Sequence, residues 1–198
     1  MAGDTTLELP PAAELPRPRT LLVGTGFGLL GVAMYFAAIM GIYALLRHDT
    51  LASGGTWFED GAVQVAPGVM MWFTSLMSAV TMYWAVYSLG RNVRLHAYLA
   101  LLLTIVFGGA MVNQTIFYLN DIGLGVADSV ASTMLYVVVV SHMIFTIVAI
   151  IAVMLTSIRA LMGQYSSQRT DGVVAASMVW YLMVAVYSAV WLLIYVAK

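Results

Sequence analysis

Charge is scarce in this sequence. Only 9% of its residues are Asp, Glu, Lys or Arg and 62% are hydrophobic, where a soluble domain carries about 25% charge. So few charges cannot cover a surface in water. With a mean hydropathy of +0.94, the surplus apolar side chains must face lipid. Cysteine is absent, which excludes disulfides, iron–sulfur ligation and thiolate metal sites and leaves the redox compartment open. The net charge of -1 leaves no basic patch to neutralise phosphates, which argues against nucleic acid as a partner. Residues 1–19 lack the basic start and apolar stretch of a secretory signal. They carry Asp4, Glu8, Glu14 and four prolines (Pro10, Pro11, Pro16, Pro18), and are expected to form a flexible cytoplasmic tail. The remaining 20–198 suit a single membrane domain.

What the sequence has in abundance is long uncharged runs. Five stand out, at about 20–46, 67–90, 95–120, 129–158 and 172–197. Each exceeds the ~20 apolar residues that cross ~30 Å of hydrocarbon. The fourth is long enough to require tilt or an extension into the headgroups. All 17 charged residues fall outside these runs. Lipid offers no partner for backbone N–H and C=O groups, so such runs are helices. The fold class is therefore all-α, an integral membrane bundle of five transmembrane helices. Glycines within them (Gly24, Gly26, Gly28, Gly31, Gly41, Gly108, Gly109) are read as close-packing positions. With five crossings, Arg17, Arg19, Arg91, Arg94, Arg159 and Arg169 share one side. Arg47 and Lys198 fall on the other, with Asp49, Glu59, Asp60, Asp121 and Asp128. The positive-inside bias predicts a cytoplasmic N-terminus and an external C-terminus. In the long external loop 48–66, Gly54 and Gly55 are expected to give flexibility. Trp57 and Phe58 are placed to anchor it at the membrane interface.

Chemistry is hard to find. Of three histidines, His48 and His96 lie near opposite surfaces, so they cannot join His142 in a metal or haem site. His142 alone lies deep in a helix. Without a carboxylate or second histidine it has no proton relay to join, and an interhelical hydrogen bond to a hydroxyl such as Ser141, Thr146 or Tyr136 is expected. No Asp, Glu, Lys or Arg and no helix-breaking proline interrupts the runs, since Pro67 only opens the second. That argues against charge translocation by this chain alone. Asn113, Gln114 and Thr115 cluster near the external end of the third helix, where they can bind a ligand or bond neighbouring helices. The aromatic residues Trp180, Tyr181, Tyr187, Trp191 and Tyr195 of the last helix read as packing and interfacial anchors. Met70, Met71, Met77 and Met82 read as packing or lipid-facing methionines. No nucleophile with an adjacent base, no phosphate-binding glycine loop and no carboxylate pair is present.

The residues do resemble a family. The run from Val23 to Arg47, VGTGFGLLGVAMYFAAIMGIYALLR, is similar to the opening helix of subunit III of haem-copper (cytochrome c) oxidases in its short five-helix bacterial form. That helix ends in Tyr-x-x-x-Arg, matched by Tyr43 and Arg47. Gln114 and Tyr118 match the family's Gln-x-x-Glu-Tyr segment. His142 and Arg159 match its His-x-x-His helix and the Arg that follows. Trp180, Tyr195 and Lys198 match its ending. The likeness runs from about residue 20 to the end, carried by the order and spacing of individually weak motifs. The departures are systematic: Val32, Phe117, Phe145, Tyr181 and Val184 stand where the family carries buried Glu, Glu, His, His and Asp.

The resemblance implies an accessory, non-catalytic subunit of a respiratory terminal oxidase in a bacterial plasma membrane. It would lie beside catalytic subunit I and subunit II, stabilising the former and binding phospholipid. Haem and copper are expected in the partner, with no cofactor, metal or catalytic residue in this chain. The candidate structural or lipid-contact residues are Tyr43, Arg47, Gln114, Tyr118, His142, Arg159, Trp180 and Tyr195. The alternatives are an accessory subunit of a nitric oxide reductase or another respiratory complex, and a small neutral-solute channel resting on Asn113, Gln114 and Thr115.

Overall fold

The computed structural model describes residues 19–59, 61–165 and 170–197. The expectations for the tail before Arg19, and for Asp60, Arg169 and Lys198, fall outside them. Among the described residues five α-helices are formed: α1 (Thr20–Ala52), α2 (Val65–Gly90), α3 (Arg94–Asp121), α4 (Val130–Leu161) and α5 (Asp171–Trp191), the last continued by a π-helical turn at Leu192–Val196. All five are long and apolar enough to cross a membrane. The chain is an all-α, multi-pass membrane protein.

The helices alternate in direction. Thr81 of α2 meets Thr104 of α3 through their hydroxyls at 2.9 Å. Tyr98 near the start of α3 donates to Ala160 O at the end of α4. Tyr136 near the start of α4 donates to Leu119 O at the end of α3. Tyr187 near the end of α5 donates to Gly68 O at the start of α2. One end of the bundle therefore carries Arg19, Arg91, Arg94, Arg159 and Asp171. The other carries Arg47 with Asp49, Glu59, Asp121 and Asp128.

Caps set the helix ends. α1 runs six residues past the expected 46, making it 33 residues long and longer than α4. It stops in a Schellman motif, in which Gly54 N–H reaches Leu51 O at 3.1 Å and Gly55 N–H reaches Thr50 O at 3.0 Å. That motif needs a left-handed residue, and Gly54 supplies it at φ +80°. Gly54 and Gly55 are thus a helix stop, which corrects the reading of them as loop flexibility. α2 ends the same way with Asn92 at φ 58°, and α4 with Gly163 at φ 73°. α4 opens on a capping box, with Ser129 accepting from Ser132 N–H at 3.0 Å and Ser132 Oγ accepting from Ser129 N–H at 2.9 Å.

Four helices converge on Trp180 of α5, which is fully buried. Its indole N–H donates to Ser78 Oγ of α2 at 3.0 Å. Gly108 of α3 makes room for it: a Cβ there would stand 2.7 Å from the indole and 2.8 Å from Ile150 of α4. α5 touches α1, α2 and α4, whereas α1 sits at the edge against α5 and α4. Only Phe36 and Tyr43 of α1 are buried. A Cβ on Gly24, Gly28, Gly31 or Gly41 would meet nothing within 4 Å. Of the seven glycines expected to pack closely, Gly108 does so, Gly26 makes an ordinary contact with Met178 at 3.9 Å, and Gly109 stands in open space like these four.

Candidate functional site

The expected site residues separate into three levels. Arg159 is exposed at the arginine-bearing end. Trp180 lies in the core described above, and His142 is nearby. His142 is buried and its Nε2 lies 3.2 Å from Met183 O of α5. A carbonyl only accepts, so Nε2 carries the proton. The interhelical bond is present, but its partner is backbone rather than a hydroxyl. Ser141 instead pairs with Tyr35 at 2.8 Å, Thr146 donates back to His142 O, and Tyr136 donates to Leu119 O and Leu124 O. Rings of Phe36 and Tyr187 flank the imidazole at 6.3 and 5.1 Å. Among the described residues no three of His, Asp and Glu converge on a common point.

Tyr43, Arg47, Gln114, Tyr118 and Tyr195 gather at the opposite end, where α1, α3 and α5 finish and α2 begins. Trp57 fastens the 53–64 loop there. It is buried, not at the lipid interface as expected: its indole N–H donates to Tyr43 Oη at 2.9 Å, with the rings edge to face at 5.3 Å. Phe58 packs edge-on against Trp57 at 6.0 Å. The bond satisfies a buried indole and a buried phenol at once, which a lipid-facing Trp57 would leave to solvent or headgroups.

Two cavities flank this loop and share Gly61. The first, of about 270 Å³, is lined by Arg47, Trp57, Glu59 and their neighbours. The second, of about 410 Å³, lies between residues 61–64, the start of α2 and the end of α3. Gln64, Asn113, Gln114, Tyr118 and Asp121 line it with Pro67, Met70, Met71 and Phe117. Positions 114, 118 and 121 fall on one helical face through i, i+4 and i+7 spacing. Thr115 turns toward α2, donating to Met111 O at 2.9 Å and reaching Met71 Sδ at 3.6 Å. Of the polar trio in the sequence, Asn113 and Gln114 therefore face the cavity and Thr115 packs α3 on α2.

Four buried side-chain polar atoms among the described residues have no hydrogen-bond partner: Arg47 Nε, Gln114 Oε1, Tyr118 Oη and Trp191 Nε1. All four belong to this end. Trp191 stacks on Trp72 at 4.6 Å, nearly parallel at 6°. The Tyr195 ring lies 5.8 Å from that of Tyr118, and the two phenols interact without forming a well-made hydrogen bond. Buried polar groups are ordinarily paired, and the four that lack a partner gather at this one end. The sequence pointed to Gln114 and Tyr118. It did not reveal Gln64 or Asp121 as their neighbours, because only the folded loop brings position 64 beside α3.

The positions that depart from the family pattern also have definite places. Val32 of α1 and Phe145 of α4 line one groove, with Gly28, Gly31, Tyr35 and Ser141. Phe117 is 68% exposed on the wall of the larger cavity. Val184 is buried and Tyr181 is 37% exposed. Comparison with protein-family models finds none that matches the chain.

Proposed function

We propose that this chain is an accessory, non-catalytic membrane subunit of a respiratory terminal oxidase resembling subunit III of the haem-copper class. It stabilises the catalytic subunit and holds phospholipid in its surface grooves. The haems and copper belong to the partner. In this chain His142, the only histidine inside the bundle, already donates a hydrogen bond from Nε2 to Met183 O.

The observation that carries this reading is α1. A 33-residue apolar helix with only Phe36 and Tyr43 buried leaves Gly24, Gly28 and Gly31 exposed, with nothing within 4 Å of a Cβ at any of them, and Gly28 and Gly31 rim the groove beside α4. Bare glycines spaced i, i+4 and i+7 let a second backbone approach closely, which is how membrane helices associate. The groove shared by Val32 and Phe145 adds support. The two matched positions where the family has a buried Glu and a His line this one groove, so losing one favours losing the other. By the positive-inside rule, the end with Arg19, Arg91, Arg94 and Arg159 is cytoplasmic, in the plasma membrane of a bacterium.

The test is purification of the tagged chain from its native membrane in mild detergent. A haem-bearing subunit should co-purify in stoichiometric amount and consume oxygen, and the chain stripped from it should be colourless. Recovery of the chain by itself, or haem retained by the stripped chain, contradicts the proposal. Reduction of nitric oxide instead of oxygen would reassign the complex.

A further inference from the structure

We propose that the groove between α3 and α4 at the arginine-bearing end holds one acyl chain of an anionic phospholipid, with Arg94 taking its phosphate. The inference deepens the lipid-holding part of the role proposed above and rests on that part alone; the subunit assignment is tested separately by co-purification. The groove encloses about 350 Å³. Tyr98, Leu102 and Ile105 of α3 line one side, and Met154, Ile158 and Leu161 of α4 line the other. Each wall repeats the i, i+4, i+7 spacing of one helical face. The two hydroxyls in it are already engaged. Tyr98 Oη donates to Ala160 O at 3.1 Å, and Ser157 Oγ donates to Val153 O at 2.7 Å. What remains for an occupant to touch is hydrocarbon.

The surroundings select the occupant. Membrane helices associate through small residues that let backbones approach, and apart from Ser157 this groove is walled by large side chains. A flexible acyl chain fits between such side chains where a second helix does not. The layers along the groove follow those of a phospholipid. Leu102 and Ile105, with Met154 and Ile158 opposite, lie at hydrocarbon depth. Tyr98 closes the outer end, where an aromatic ring with a polar tip suits the headgroup boundary. Arg94 stands one turn further out on the same face of α3, about 6 Å along the axis, and is exposed. A basic position beside a groove between membrane helices suits an anionic headgroup. Arg19, Arg91 and Arg159 lie at the same end. Asp171, its one carboxylate among the described residues, opens α5, which packs on α1, α2 and α4. A phosphate at Arg94 therefore meets positive charge, with no carboxylate on either wall of the groove.

The experiment uses the full chain in an uncharged maltoside detergent. It is titrated with an equimolar mixture of dioleoylphosphatidylglycerol and dioleoylphosphatidylcholine, which share their acyl chains, and retained lipid is counted by native mass spectrometry. The first lipid retained should be phosphatidylglycerol, preferred about fivefold over phosphatidylcholine. Arg94→Gln should bring that preference to about one and leave phosphatidylcholine retention unchanged. Leu102→Trp combined with Ile158→Trp, which fills the groove from both walls, should lower retention of both lipids. Arg19→Gln, at the same end on α1, should change neither. If Arg94→Gln or the filled variant does not fold, the other still decides. Equal retention of the two lipids by the wild type, an undiminished preference in Arg94→Gln, an equal loss of preference in Arg19→Gln, or full retention by the filled variant overturns the proposal. Retention of neither lipid overturns it too, and leaves the groove to a partner helix.

Discussion

At the residue scale, the informative side chains are those that leave no room and those that leave a group unpaired. Gly108 belongs to the first kind. A methyl there collides with Trp180 and Ile150, at the point where four helices meet. Gly108→Ala should therefore lower stability by about 1–3 kcal/mol, read as a fall in the thermal unfolding midpoint in detergent. Gly109→Ala, whose Cβ enters open space, should be neutral or raise stability by up to about 1 kcal/mol. Nothing in the sequence tells these adjacent glycines apart, because the difference is made by an indole seventy-odd positions downstream. His142 shows the opposite. Its isolation from any carboxylate or second histidine already indicated a structural bond, and only the partner needed the fold: the Met183 carbonyl at 3.2 Å. His142→Leu should cost about 1 kcal/mol of stability and leave oxygen consumption by the assembled complex unchanged. A collapse of turnover with stability intact would show a relay.

At the scale of elements, the five helices were legible because lipid allows a span no other backbone arrangement and because charges stay out of the runs. Their ends were less legible. Hydropathy ends α1 where Arg47 begins, but the backbone bonds of a helix continue in water until a residue stops them, and here Gly54 does so at φ +80°. Gly54→Ala should cost about 1 kcal/mol and speed amide exchange across the final turn of α1. Gly41→Ala, mid-helix with open space around it, should do neither. The 53–64 loop was misread for a related reason. Trp57 has the amphipathic form of an interfacial anchor, and only the position of Tyr43 one element away turns it inward. The candidate site was legible to the same partial degree: Gln114 and Tyr118 share a face in sequence, whereas Gln64 reaches them through loop geometry that no periodicity encodes.

At the scale of the whole molecule, burial is uneven in a directed way. α5 is enclosed by α1, α2 and α4, while α1 leaves Gly24, Gly28 and Gly31 exposed, the last two at the rim of its groove with α4. Unpaired polar groups, Arg47 Nε among them, collect at one end, and Arg19, Arg91, Arg94 and Arg159 collect at the other. An accessory subunit fits this pattern, with α1 turned to a partner helix. The measurement that tests this most directly compares the tagged chain with its Gly28→Leu/Gly31→Leu double variant, purified side by side from native membranes in mild detergent. Both positions are exposed and a Cβ at either meets nothing within 4 Å, so the variant's own stability should stay within about 0.5 kcal/mol of the wild type. The account predicts that wild type brings a haem-bearing oxidase subunit with it and that the variant loses most of that subunit. Equal recovery of the subunit by both proteins would contradict α1 as the docking face, and its absence from the wild-type preparation would contradict the accessory role itself.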